Sequence, residues 1–300
     1  MEEHNYLNSR GGKLLFSIIL NILITITEFA GGIISGSLSL ISDAGHNFSD
    51  VISLMLGYVG EKLSGREPDY FHTFGFKRVK VFTALINAIM LIVLGILIIM
   101  EGIRKVNNPL VISPKLMLII GFIGLAGNFI SILILHSEKD ENINMKAAYL
   151  HLFYDTISSV IVIISAIMIF LTKIVIFDII ASIIIAIMMI VSGYKIVKQS
   201  THILMTGVPE NIKIIDIIES MKKIEGVIGI HNLHVWSIDS EEIFCSAHIN
   251  VKDNIDTDEI IKKTDNILKR KHGIEHTVFQ LEKDKICDNK DIFYKKIEKR

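Results

Sequence analysis

His46-Asn-Phe-Ser-Asp50 and His151-Leu-Phe-Tyr-Asp155 both lie inside long apolar segments of the chain. Each frame sets an imidazole and a carboxylate four residues apart, hence on one face of a helix. Whether the first segment crosses a membrane fixes the number of spans. It thereby fixes the side of the membrane on which the C-terminal third lies. Ionisable side chains are costly within a span and rare there, so a repeated pair is a functional signal. Together the two frames offer two nitrogens and two oxygens. That is a complete tetrahedral set for a borderline-soft divalent metal such as zinc.

Composition supports the membrane reading. The 300 residues are 50% hydrophobic, with a mean hydropathy of +0.49. The net charge of -1 conceals an asymmetry: residues 199–300 carry 16 Lys+Arg and 18 Asp+Glu, more than half of all charged side chains. The first two thirds is membrane-like and the last third soluble in character. The balanced charge gives no sign of nucleic-acid binding. Cys245 and Cys287, with no CxxC, do not make a disulfide framework and fit a reducing compartment. Met1 to Gly12 is polar, and the apolar run after it lacks a small-residue cleavage site, so an uncleaved span is expected.

Six spans are expected, at 14–35, 38–61, 80–103, 115–135, 145–171 and 174–196. The second is the weakest by hydropathy. Its Asp43, His46 and Asp50 fall on one stripe, which leaves the opposite face apolar. With the N-terminus inside, the inner loops and ends hold eleven Lys and Arg. The outer ones hold four: Arg104, Lys105, Lys115 and Lys173. Both termini are therefore expected in the cytoplasm. By helical rise, His46 and Asp50 lie ~12 and ~18 Å below the outer edge. His151 and Asp155 lie ~13 and ~20 Å above the inner one. The pairs meet near the midplane of antiparallel spans. Asp43, one turn further out, reads either as a vestibule charge that draws cations or as a plain helix-start carboxylate. Asn21, Glu28, Asn87 and Asn128 read as interhelical hydrogen-bonding groups.

Beyond Pro209 the pattern changes to that of a small two-layer domain. Helix is expected over 212–224, strands over 227–238 and 243–251, helix over 256–271 and a third strand over 274–281, the order αββαβ. His231, His234, His248 and His276 cluster there with Glu282 and Cys287, as metal ligands or as surface hydrogen-bonding groups. Trp236 and Cys245 read as core. The domains are then a cytosolic N-terminal tail (1–13), an all-α six-helix transmembrane bundle (14–206), a cytosolic α+β domain (207–286) and a C-terminal tail (287–300).

The residues resemble the cation diffusion facilitators of zinc-transporter type, from about Leu15 to Glu282. The resemblance is carried by Glu28-Phe-Ala-Gly-Gly, Ser37-Leu-Ser-Leu-Ile-Ser-Asp-Ala-Gly-His-Asn-Phe-Ser-Asp50, Phe74-Gly-Phe-Lys-Arg78, Ala147-Ala-Tyr-Leu-His-Leu-Phe-Tyr-Asp155, Asp178-Ile-Ile-Ala-Ser182 and His231-Asn-Leu-His-Val-Trp236. It implies a homodimer with a ferredoxin-like cytosolic domain that exports Zn2+ from the cytoplasm in exchange for protons. The family's transport ligands fall on His46, Asp50, His151 and Asp155. Sites with histidine go with zinc, often also cadmium or cobalt, in agreement with ligand softness. His231 and His248 match positions that bind regulatory zinc at the dimer interface. Glu282 lies near a further carboxylate position, and Gln280 replaces another ligand. Phe76 stands where some relatives have a histidine, so no loop site is assigned to Asp69 and His72. Lys80 stands where many have Glu. The short loop from His136 to Lys146 points to a bacterial or archaeal plasma membrane.

The sequence also separates competing functions. A metal-dependent intramembrane protease needs a ligand position left open and a neighbouring base. HExxH is absent, and four donors fill the expected site. A membrane-anchored metal sensor would need no ligands at mid-membrane. There is no GxxxxGK[ST] loop, so transport is expected to run on gradients rather than on ATP. Zinc requires neutral imidazole and ionised carboxylate, so loading of the site displaces protons.

Overall fold

The computed structural model describes residues 2–107, 111–136, 143–239, 241–253 and 255–283, with most side chains from Ile18 onward. The expected C-terminal tail and Cys287 lie outside these residues. Six long helices come first: α1 (Glu2–Ser35), α2 (Leu38–Ser64), α3 (Val79–Asn107), α4 (Pro114–His136), α5 (Ile143–Thr172) and α6 (Ile176–Leu204). All but α2 are long and apolar enough to cross a membrane. α2 is long enough, at 27 residues, but its composition is diluted by a polar stripe. Asp43 and Asn47 on that stripe are buried, whereas Leu54, Met55 and Tyr58 are exposed. The polar groups face inward and the apolar ones outward, as a span requires. α1 begins at Glu2, so the segment expected as a tail is helical.

The chain divides into two compact units. The first holds residues up to Val59 and from Thr83 to Val197. Its helices approach closely at glycines. Gly31 and Gly127 of α1 and α4 face Ile120 and Ile24, and Gly124 faces Glu28. A Cβ on Gly95 would lie 2.9 Å from the Ala186 carbonyl, and one on Gly193 2.9 Å from that of Ala88, so α3 and α6 meet backbone to backbone. Leu40, Leu91, Met117, Val162, Ile185 and Met189 fill the interior. Ile34, Leu133 and Leu171 are among the apolar side chains turned outward, where lipid covers them. The α1–α2 turn is tight: Gly36 has φ +75° and stands against the Val111 carbonyl, and Ser113 N donates to Ser35 O at 2.9 Å.

The second unit joins Gly60–Phe82 to the chain from Lys198 onward. It contains α7 (Ile214–Lys222), β1 (Val227–Ser237), β2 (Ile243–Val251), α8 (Thr257–His272) and β3 (His276–Lys283), the expected αββαβ order. β1 pairs antiparallel with β2, and β2 pairs parallel with β3 across the α8 crossover. One face of the sheet packs on Ile217, Met221, Ile260 and Leu268 of the two helices. Cys245 lies in this core, and burial pushes its thiol up to about 12. α8 starts at Asp256, which accepts from Asp258 N at 3.0 Å, and ends at Gly273 in the left-handed region. Acidic residues in its first turn and basic ones in its last suit the helix dipole.

The opposite face carries Phe244, stacked on Trp236 (5.7 Å) and on His276 (4.6 Å). Phe74 meets the same ring edge-on at 5.5 Å, and Lys77 pairs with Glu242. Trp236 is therefore not a core residue as expected. It is half-buried in an aromatic stack that holds the α2–α3 connection against the sheet. Lys80 pairs with Glu61 at 2.8 Å, a partner that accounts for the positive charge at that position.

Candidate metal centre

α2 and α5 meet along a ladder of polar pairs. Asp43 meets Ser158, His46 meets Asp155, and Asp50 meets His151. Positions descend along α2 as they ascend along α5, so the helices are antiparallel at this level, as the depth argument expects. His46 Nε2 lies 3.6 Å from Asp155 Oδ1, and His151 Nε2 lies 3.4 Å from Asp50 Oδ2 and 3.5 Å from Asp155 Oδ2. His46 Nδ1 is 3.8 Å from Asp50 Oδ2. A tetrahedron with bonds of ~2.0–2.1 Å has edges of ~3.3–3.4 Å; the individual spacings are near that range, but they draw on both nitrogens of His46 and both oxygens of Asp155. One donor atom each of His46, Asp50 and Asp155 lies within 4.8 Å of the others; His151 Nε2 reaches both carboxylates but falls outside that group.

The surroundings leave these donors in need of a partner. Asp155 is fully buried, yet neither of its oxygens has a hydrogen bond. His46 Nδ1 and Asp50 Oδ2 are likewise buried and unsatisfied. Buried carboxylates without donors are costly, and a cation is the group that relieves both at once. His151 is the most open of the four, with 39% of its side chain exposed.

Asp43 is neither a vestibule charge nor a free helix-start carboxylate. It is buried and accepts from Ser158 Oγ at 2.5 Å and Ser159 Oγ at 3.3 Å, which joins α2 to α5 one turn beyond the quartet. No local signal in the sequence marks this pairing, since Ser158 and Ser159 lie more than a hundred positions from Asp43. Glu28 accepts from Asn47 Nδ2 at 2.9 Å, and Asn128 donates to Ser159 Oγ at 3.4 Å, both between helices as expected. Asn21 instead accepts from Thr25 of its own helix, and nothing in the structure accounts for the unpartnered Asn87 Oδ1.

In the soluble unit the sheet register sets His231 opposite His248 and His248 opposite Gln280. His231 Nε2 is 3.4 Å from Glu282 Oε2, and His248 Nδ1 is 3.1 Å from Glu282 Oε1. Gln280 Nε2 donates to the same carboxylate at 3.0 Å. The expected histidine cluster thus divides. His234 turns to Asn232 beside a β-bulge, and His276 joins the aromatic stack. In the α2–α3 connection, Asp69 and His72 bond each other at 3.0 Å and are exposed.

Comparison with known families agrees with this two-part construction. The cation efflux transmembrane domain matches residues 14–205, and the cation efflux protein cytoplasmic domain matches residues 209–284. The chain belongs to the cation efflux family. It is an integral membrane protein that moves metal cations, and it is not an enzyme, which removes the protease reading. A relative from Bacillus subtilis (strain 168), a cadmium, cobalt and zinc/H(+)-K(+) antiporter, is 39% identical over 285 residues, covering 93% of this chain and 91% of its own. The zinc transporter ZitB of Escherichia coli (strain K12) is 32% identical, with 90% and 87% covered. The metal cation efflux system protein CzcD of Cupriavidus metallidurans is 28% identical, with 93% and 89% covered.

Proposed function

We propose that this chain exports Zn2+, and with it Cd2+ or Co2+, from the cytoplasm in exchange for protons, carrying the ion on His46, Asp50, His151 and Asp155. The observation that supports this most is the approach of His46, Asp50 and Asp155, whose buried donor atoms lack hydrogen-bond partners, with His151 beside both carboxylates. Two nitrogens favour borderline ions over hard ones such as Mg2+ or Mn2+. The names of the Bacillus and Escherichia relatives agree with that choice. Loading requires neutral imidazole and ionised carboxylate, so an inward-facing site that binds Zn2+ gives up protons. An outward-facing site that takes protons expels the metal. α2 and α5 rock against their neighbours to change sides.

In this reading the protein sits in the plasma membrane with both termini cytoplasmic and acts as a homodimer. The second cluster, His231, His248 and Glu282, holds a regulatory Zn2+ that tightens the dimer. The experiment that tests the function is flux of several divalent ions into inverted vesicles under an imposed proton gradient. Zn2+ should accumulate when the lumen is acid and stop when a protonophore collapses the gradient. Accumulation indifferent to the gradient would contradict proton exchange. Zinc-dependent signalling without flux would favour a membrane-anchored sensor instead.

A further inference from the structure

The first turn of α2 is capped partly by another helix. Ser37 stands at its start: Ser37 Oγ accepts from Leu40 N at 3.2 Å, and Ser37 O accepts from Ile41 N at 3.4 Å. The two amides between them do not turn to a local group. Leu38 N and Ser39 N donate to Asp178, at 2.6 and 3.1 Å. The hydroxyls of Ser37 and Ser39 donate to the same carboxylate, each at 2.6 Å. Asp178 lies in the first turn of α6 and is buried. Its negative charge therefore sits between the N-terminal ends of two helices, where both dipoles favour it.

A helix start needs only a residue of its own as a cap. A carboxylate from a different span adds something that a local cap lacks, a fixed depth and rotation of α2 relative to α6. His46 and Asp50 lie further along the same rod, ~12 and ~18 Å from Leu38. A slip of one residue at the cap turns an α-helix by about 100° and carries both donors away from α5. α6 is itself locked to α3 through Gly95 and Gly193. Asp178 thus ties the α3–α6 pair to the helix that bears half of the quartet.

We propose that Asp178 is a positioning residue for transport: it sets the height and rotation of α2, and so the placement of His46 and Asp50. The inference rests on the reading of the quartet as the transport site. The test uses full-length protein in proteoliposomes, with 65Zn uptake expressed per folded molecule and melting followed in parallel. Asp178→Asn should lower uptake roughly ten-fold or more, the range seen when groups that orient metal ligands are lost. Ser37→Asp combined with Asp178→Ala supplies an acidic cap on α2 itself and leaves no polar side chain at position 178 to tie it to α6. It should recover the melting temperature but not the uptake. Recovery of uptake in the double variant would reduce Asp178 to a helix cap and overturn the proposal. Asp178→Glu keeps the charge and lengthens the tie by one methylene, so it serves if Asp178→Asn fails to fold. It should melt like the wild type with a several-fold change in zinc KM or rate, and unchanged kinetics would overturn the proposal. Asp155→Ala run beside them separates the two claims, since full uptake there sinks the quartet and says nothing against the tie.

Discussion

At the scale of single residues, the proposed transport chemistry rests on which donor stands at four positions. Imidazole nitrogen selects borderline metals, whereas carboxylate oxygen alone suits harder ones. Replacing His46 and His151 together by aspartate should therefore shift competition uptake from Zn2+ and Cd2+ toward Mn2+. An unchanged ranking would show that selectivity lies elsewhere. These four candidate ligands stand out in the sequence because His46 and Asp50, and His151 and Asp155, repeat one frame in a setting where charge is costly. Asp43 was not legible. Its partners Ser158 and Ser159 lie more than a hundred positions away, and only the antiparallel docking of α2 on α5 brings them together. Trp236 was misread for a related reason. Its ring follows the face of β1 opposite the helices, and the aromatic cover comes from Phe244 and a distant connection.

At the scale of elements, close packing depends on glycines whose neighbours are backbone. Gly95→Ala would press a methyl against the Ala186 carbonyl, which cannot step aside as a side chain end does. It should cost about 1–3 kcal/mol, read as an earlier thermal transition in detergent. Gly57→Ala, with open space around it, should leave the transition unchanged or raise it slightly. Equal losses at both positions would contradict the α3–α6 contact. In the soluble unit, Cys245 is buried in the sheet core with its thiol pushed up to about 12, so it should resist alkylation at pH 8 until the domain unfolds. Rapid labelling of folded Cys287→Ser protein would contradict that packing. The elements themselves were largely readable. Apolar length marked every long helix but α2, and alternation marked β1 and β2 to within a residue or two. The alliance of the 60–82 connection with the sheet was not, because Lys77–Glu242 and Phe74–Phe244 join positions far apart in sequence.

At the scale of the whole molecule, the proposed reading gives the two candidate clusters, which lie in separate units, different tasks: one ion is cargo and the other a signal. Replacing His231 and His248 together by alanine should remove about one zinc per protomer and abolish zinc-dependent tightening of the dimer in sedimentation. Zinc stoichiometry equal to that of the wild type would contradict a site at Glu282. Transport at high zinc should persist in that variant, since the quartet is untouched. The most direct measurement is 65Zn uptake into inverted vesicles under an acid-inside gradient, comparing wild type with Asp155→Ala and Asp50→Ala at equal amounts of folded, inserted protein. Uptake should fall to the level of empty vesicles in both variants. Uptake at the wild-type rate in either one would contradict a transport site built from the quartet.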